Sequence, residues 1–207
     1  AASLAIYRTS LWPWFCAHVV PDLQWAVPNC QRKGGSGSQA DELAMGDWQL
    51  AVLTPPPARA PHSSLVCMFE TVRRELGSAD SIFVGKVETD GAWSLDLDAA
   101  LGILREASAA KRPLALLGTA FSFVHLLDYL AEKKLRFELP AGSRAMETGG
   151  YKGRSRSLPK TELHALITQR LGIPPTHIVC EYGMSELSSQ AYDTEVRSAD
   201  RLFCFPP

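Results

Sequence analysis

The chain has 207 residues, of which 46% are hydrophobic and 21% charged, as is typical of a globular domain with a hydrophobic core. Its 21 basic and 22 acidic side chains leave a formal net charge of −1, which gives no electrostatic reason to expect nucleic-acid binding. The longest apolar run, at residues 11–20, contains a proline and a histidine and is shorter than the roughly 20 residues that span a membrane. We therefore expect a cytoplasmic protein without a membrane span, acting on a small molecule or a protein.

The cysteines do not form a recognisable framework. Their odd number and wide spacing do not predict paired disulfides, and no C-x-x-C pair suggests a zinc site. Free thiols in a reducing cytosol are the expectation. The five cysteines are Cys16, Cys30, Cys67, Cys180 and Cys204.

Residues 1–45 differ from the rest of the chain, and we treat them as an irregular, unassigned segment before a domain at residues 46–207. Three tryptophans lie among three prolines there, with no sustained helical or strand period. The Gly/Ser-rich stretch at residues 33–38 has the composition of a linker. A phosphate-binding loop is the alternative, but the Gly-Lys-Ser/Thr of a P-loop is missing.

Beyond residue 46, predicted strands and helices alternate. In chain order, the pattern predicts an extended segment at 55–57, a helix from Ser63 or Ser64 to Leu76, a buried strand at 81–87, a turn at 90–91, a helix capped by Asp96 or Asp98, a strand at 113–117, a helix at 121–133, a strand at 143–147, a helix at 158–170 and a strand at 177–181. This alternation predicts an α/β fold with a largely parallel sheet flanked by helices. Ligands of such sheets bind outside the carboxyl ends of the strands, so the loops after Leu117, Glu147 and Glu181 are the ones to inspect.

The loop after Leu117 begins with a glycine and small residues, which allow a sharp turn from strand to helix. Phe121 and Phe123 follow, and two functions are open for them. They are ordinary core aromatics, or they line an apolar pocket for an acyl chain.

The loop after Glu147 is rich in glycine and positive charge. Gly149 and Gly150 allow the backbone to approach a flat or charged ligand closely, and exposed amides in such loops can bind anions. Lys152 and Arg154 add charge that suits a phosphate or a carboxylate. A solvated basic turn is the alternative.

The loop after Glu181 combines three kinds of ligand group in five residues. Tyr182 offers a ring on which a nucleobase can stack, and Gly183 lets the backbone pass beneath the base. Ser185 offers a hydroxyl to a phosphate oxygen, and Glu186 offers a carboxylate to Mg²⁺. This spacing favours a nucleotide site over a polar surface turn.

These motifs resemble a known family. Tyr182-Gly183-Met184-Ser185-Glu186 resembles the Y-G-x-T/S-E motif of the adenylate-forming superfamily, and Glu147-Thr148-Gly149-Gly150 lies about one helix upstream, as the adenine-contacting glycine loop does there. The strings TGGYKGRS, YGMSELSSQAYD and RLFCFPP resemble more specifically the acyl-protein synthetase (LuxE-like) branch. That branch belongs to bacterial fatty-acid reductase complexes that support bioluminescence. The likeness covers residues 53–207.

The resemblance implies that the chain is part of the large N-terminal domain of an adenylate-forming ligase. Such a ligase uses ATP and Mg²⁺ to activate a long-chain fatty acid, or a related carboxylic acid, as an acyl-adenylate. The acyl group then passes to a thiol of a protein, such as an acyl-accepting reductase or a carrier protein. By position, the residues implied for the nucleotide are Gly149, Gly150, Tyr182, Gly183 and Met184, with Lys152 and Arg154 beside them; Ser185 and Glu186 are implied as catalytic, and Glu186 as the metal ligand.

Three departures from the family leave alternatives open, the first being that residues 1–45 match no part of the family's sequences. No Ser/Thr/Gly-rich phosphate loop lies upstream, and the small mobile domain that follows F-P-P in the family is not included in residues 1–207. Transfer to coenzyme A, as in acyl- or aryl-CoA ligases, is one alternative, and a truncated, non-catalytic nucleotide-binding remnant is another. Neither Cys180 nor Cys204 matches a nucleophile motif, and neither is assigned as an acyl acceptor.

Overall fold

A computed structural model of the chain describes residues 2–20, 48–149, 156–184, 189–195 and 201–204. The described α-helices are α1 (Ala2–Val19), α2 (Ser64–Leu76), α3 (Leu97–Ala110), α4 (Ala120–Glu132) and α5 (Lys160–Leu171), with one 3₁₀ turn at Pro175–His177. The described strands are β1 (Gln49–Val52), β2 (Ile82–Phe83), β3 (Gly85–Val87), β4 (Trp93–Leu95), β5 (Leu114–Thr119), β6 (Arg144–Thr148), β7 (Ile178–Met184), β8 (Ser189–Glu195) and β9 (Arg201–Cys204).

Seven of these strands form one mostly parallel sheet in the order β2-β1-β5-β6-β7-β8-β9. The first five strands in that order run parallel to their neighbours, and β8 and β9 are added in antiparallel pairing. The helices cover both faces of the sheet. This confirms the α/β fold that the alternation of strands and helices predicts.

Alternate residues of the central strands enter two apolar layers. On one face, Leu114 and Leu116 pack with α3, α4 and α5; we call this the α5 face. On the other face, Ala115 and Leu117 pack with α1 and α2; we call this the α1 face. Strands that are covered on both sides need apolar residues at consecutive positions, as the β5 sequence Leu-Ala-Leu-Leu provides.

Helix α1 lies in the segment for which no regular element was predicted. Leu11, Phe15 and Val19 recur at a spacing of four and are buried against α2 and β8, and the Phe15 ring meets the Tyr192 ring edge-on at 6.3 Å. Pro13 and the neighbouring tryptophans obscure this stripe in the sequence, because apolar residues also occupy the other sides of the helix. None of the helices in the described ranges is long and apolar enough to cross a bilayer.

Residues 81–87, predicted as one buried strand, form two short strands in different sheets. The Val84 amide still donates to the Val52 carbonyl of β1, but β3 pairs with β4 in a separate antiparallel hairpin. At Gly85 the two backbones come so close that a Cβ would lie 2.1 Å from the carbonyl carbon of Thr54. A strand in the middle of a sheet has no such crossing, so glycine marks the point where the chain leaves the main sheet.

Phe121 and Phe123, the two aromatic residues proposed for an acyl pocket, lie on different sides of helix α4. Phe123 is fully buried in the core of the α5 face, which agrees with a packing role. Phe121 is half-buried at the start of the helix, with its ring 4.6 Å from the His125 ring. The two side chains therefore do not share one surface.

Candidate functional site

The carboxyl ends of β6 and β7 bring two of the predicted segments together. The strands run parallel with Thr148 opposite Glu181, so Gly149 and Tyr182 occupy neighbouring positions at the same edge of the sheet. The Thr148 hydroxyl donates a hydrogen bond to the Glu181 carboxyl group, and both residues are buried. This bond joins the ends of the strands that carry the candidate site.

The described site residues have the backbone and exposure that a binding surface needs. Gly149 is exposed with φ of 72°, a left-handed conformation that favours glycine. Tyr182 is 50% exposed, which is high for a large aromatic side chain, and Gly183 beside it is exposed as well. Met184 is the last residue of β7. Five predicted site residues lie outside the described residues: Gly150, Lys152, Arg154, Ser185 and Glu186.

The tyrosine motif begins on a strand and not in the predicted loop. Strand β7 continues through Met184 and pairs with β8, with Tyr182 opposite Ala191. The glycine at 183 did not end the strand, because its pairing partner Gln190 keeps the ladder continuous. As a result, the face on which the Tyr182 ring lies is set by strand alternation, which places it on the α5 face with Cys180.

Below the motif, on the α1 face, lies the carboxyl group of Glu181. Its burial, opposed by the Thr148 hydrogen bond and supported by the charge of Glu147, raises the pKa of Glu181 to about 7. A Cβ on Gly183 would lie 2.7 Å from Oε1 of Glu181, so glycine at 183 leaves the room that this carboxyl group occupies. The site therefore has a carboxyl group that is partly protonated at neutral pH immediately behind its exposed surface.

The α5 face of the same strands holds a row of ionisable groups. His164 of α5 lies with Nε2 3.2 Å from Oε1 of Glu147 on β6, and both are buried. Lys160, one turn earlier on α5, lies with Nζ 2.8 Å from Oδ2 of Asp193 on β8. The other Asp193 oxygen accepts a hydrogen bond from the Cys180 amide at 2.5 Å. Helix α5 thus contacts β6 and β8, the two neighbours of β7, through ionisable side chains.

Cys180 lies between the two carboxylates of this row. Its burial, together with the negative charges of Glu147 and Asp193, raises the pKa of the Cys180 thiol far above its ordinary value, although Lys160 opposes the shift. A thiol in such surroundings is a poor nucleophile, because the thiolate is the reactive form.

A second aromatic ring, which sequence reasoning did not assign, lies beside Tyr182. Phe203 of β9 is 38% exposed, and its ring centroid lies 5.9 Å from that of Tyr182 at an interplanar angle of 57°. The Lys160 ammonium lies 5.2 Å from the centre of the Phe203 ring. The only earlier signals for Phe203 and Asp193 were their places in the strings RLFCFPP and YGMSELSSQAYD, and no signal marked Lys160.

The aromatic pair of Tyr182 and Phe203 is unusual within this chain. Among the residues whose side-chain exposure the structure describes, only three large hydrophobic side chains are strongly exposed, and the third, Ile82, lies at the opposite edge of the sheet. Two adjoining exposed rings at the carboxyl end of a parallel sheet form a surface suited to a planar ligand.

The described residues include no group of three or more His, Cys, Asp and Glu side chains arranged to hold a metal ion. The predicted magnesium ligand, Glu186, is not among them. A comparison with models of known protein families gives no match, and a comparison with the sequences of curated proteins gives no significant match either.

Proposed function

We propose that the chain binds the adenine ring of ATP at Tyr182 and takes part in ATP-dependent activation of a fatty or related carboxylic acid. The observation that carries the proposal is the meeting of Gly149 and Tyr182 at the carboxyl ends of neighbouring parallel strands. These are the two segments whose sequences resemble the adenine-contacting motifs of the adenylate-forming superfamily. Strong exposure of the Tyr182 ring supports the same role.

The described residues fit the base of a nucleotide. A ring stacked on Tyr182 gains roughly 1–3 kcal/mol, by comparison with base–aromatic contacts in other proteins. Gly149 has open space around the position where a Cβ would be, so the backbone there can face a ligand at close range. The Thr148–Glu181 hydrogen bond holds the two contributors at a fixed separation, which reduces the ordering cost of binding.

The reaction we propose has two steps. ATP supplies the adenylyl group that makes the carboxylic acid reactive, with release of pyrophosphate. A thiol then attacks the acyl carbon of the acyl-adenylate, a thioester forms, and the acyl–phosphate bond breaks with release of AMP. In this assignment Ser185 binds a phosphate oxygen and Glu186 binds Mg²⁺, while Gly150, Lys152 and Arg154 complete the nucleotide site. The long-chain acyl group and a protein thiol acceptor on a reductase or carrier remain the preferred substrates, with coenzyme A as the alternative acceptor.

The test is ATP–pyrophosphate exchange with purified protein, Mg²⁺ and a panel of fatty acids. We expect exchange that depends on the acid, and a lower affinity for Mg·ATP in a folded Glu186→Gln variant, because a neutral amide is a weaker magnesium ligand than a carboxylate. Glu132→Gln, the same change at an exposed position at the end of α4, is the matched control and should bind ATP normally.

Nucleotide binding is measured separately by calorimetry, so that loss of turnover is not confused with loss of the site. Tyr182→Leu should weaken ATP binding about tenfold, whereas Ile82→Ala, at the exposed residue on the opposite edge, should not. Failure of the wild-type protein to bind ATP, or equal binding by the Tyr182 variant, would exclude the proposed site.

A further inference from the structure

We propose that Phe203 is a second contact residue for the planar ring that binds at Tyr182, and that Lys160 is the positioning residue that holds Phe203 there. The inference rests on the proposed nucleotide site and extends it to β9 and α5. It starts from three described features: two adjoining exposed rings, an ammonium group beside one of them, and a buried carboxylate that fixes the ammonium group.

The geometry of the two rings decides how a ligand can lie on them. A centroid separation of 5.9 Å is direct ring–ring contact, so a third ring cannot enter between Tyr182 and Phe203. The two ring planes are inclined at 57°, so a flat ligand that stacks on one ring meets the other ring at an angle. A planar base can lie face-on against Tyr182 while its edge meets Phe203, and both arrangements are favoured for aromatic groups.

Phe203 lies on β9, which is the last strand in the described sheet order. Strand pairing places Phe203 opposite Asp193 of β8, and strand alternation puts both on the α5 face. Lys160 bridges these two residues, because its ammonium group contacts the Asp193 carboxylate at 2.8 Å and lies over the Phe203 ring.

The Asp193 carboxylate fixes the position of the Lys160 ammonium group. Its side chain has no exposed surface, and it also accepts the Cys180 amide, so its own position is held by β7. A lysine paired with a buried carboxylate loses the freedom of its long side chain, and the cation can then attract the face of an aromatic ring. The contacts run from β7 through Asp193 and Lys160 to Phe203 and return to β7 at Tyr182.

The first experiment compares variants at Phe203 by calorimetric titration with ATP. Phe203→Leu keeps an apolar side chain but removes the ring, and we expect affinity to fall about five- to tenfold, as for loss of one aromatic contact to a base. Phe203→Tyr keeps the ring and should bind within about twofold of wild type. Thermal unfolding of both variants shows whether the fold is retained.

The second experiment tests the positioning role by a double-mutant cycle. Lys160→Met alone would leave Asp193 buried without its cation, so the background is Lys160→Met with Asp193→Asn, in which both partners are neutral. In this background Phe203→Leu should cost less than about twofold, because Phe203 is no longer held against the ligand. The single variant Lys160→Arg keeps a positive charge next to Asp193, so it should bind ATP within about twofold of wild type.

The outcomes separate this inference from the function on which it rests. If Tyr182→Leu weakens ATP binding and Phe203→Leu does not, the second contact is wrong while the nucleotide site stands. If Phe203→Leu costs the same in both backgrounds, Lys160 does not position the ring. If wild-type protein does not bind ATP, both the site and its extension are wrong.

Discussion

The two halves of the sheet differ in what they bury. In β1 and β5, residues 50–53 and 114–117 are apolar and almost fully inaccessible to solvent. In β6, β7 and β8, the chain also buries Glu147, Glu181 and Asp193. We call β1 and β5 the scaffold half of the sheet, because these buried runs are apolar. We call β6, β7 and β8 the polar half, because these strands also bury ionisable groups.

Stability alone does not account for the buried carboxyl groups of β6, β7 and β8. Burying a carboxyl group is costly, and well-packed apolar residues at such positions are often neutral or stabilising by comparison. The three acids lie close to the candidate site. Glu147 directly precedes Thr148 in the sequence, and Glu181 directly precedes Tyr182. Among these acids, burial raises the pKa of Glu181, and buried groups with shifted pKa values occur often at functional sites. This contrast is the one expected if the candidate site lies in the part of the sheet formed by β6, β7 and β8.

The largest effect should come from removing a large apolar side chain from the scaffold half. Phe123→Ala deletes a fully buried ring between α4 and the sheet, and we expect a loss of about 3–5 kcal/mol in the free energy of unfolding. Urea denaturation measures this loss. Phe121→Ala, the same change at a half-buried position on the same helix, should cost clearly less. Equal losses at the two positions would contradict the layer assignment.

The next effect belongs to the polar half and depends on pH. Glu181 has its pKa raised from an ordinary 4.5 to about 7 in the folded protein, so its contribution to stability is fully present below pH 4.5 and is lost as pH rises through 7. The difference corresponds to roughly 3 kcal/mol. Glu181→Gln does not titrate and can still accept from Thr148, so the variant should gain on wild type by that amount between about pH 4 and pH 8.

The measurement is the free energy of unfolding of both proteins at several pH values. Glu132→Gln serves as the control, because this exposed residue should leave the pH profile nearly unchanged. If the profiles of wild type and Glu181→Gln run parallel, Glu181 does not titrate differently in the folded and unfolded proteins, and the contrast between the two halves weakens.

Local sequence patterns predicted elements in both halves of the sheet, including β6 and the start of β7 to within a few residues. The strand at β5 and the helices α2, α4 and α5 were predicted to within a few residues, because continuous apolar runs and amphipathic periods act locally. Strand β1 was not predicted, since Gln49–Val52 is only four residues long and lies directly after the irregular segment. Strands β8 and β9 were missed because β8 is stabilised by antiparallel pairing with β7 and β9 by antiparallel pairing with β8, which no local pattern encodes.

The candidate site shows the same limit. Gly149 and Tyr182 were found from motifs, since glycine and exposed aromatic residues have recognisable local roles. Phe203, Lys160 and Asp193 were not found, because they come together only through strand pairing and the placement of α5. Contacts between residues more than 30 positions apart, such as Lys160 with Asp193, require the topology before they can be predicted.

The smallest effect is expected at Cys180, and it bears on which thiol accepts the acyl group. Burial and the carboxylates of Glu147 and Asp193 keep the Cys180 thiol protonated at neutral pH. Alkylation of Cys180 at pH 8 should therefore be at least about tenfold slower than that of a free cysteine, as followed by mass spectrometry. Cys180→Ala should leave acid-dependent pyrophosphate exchange and acyl transfer within about twofold of wild type. A thioester found on Cys180 would contradict this assignment and would mean that the row of acids on the α5 face activates the thiol. Without such a thioester, the proposed acyl transfer would require a thiol other than Cys180, and the role proposed for the polar half of the sheet would be limited to nucleotide binding.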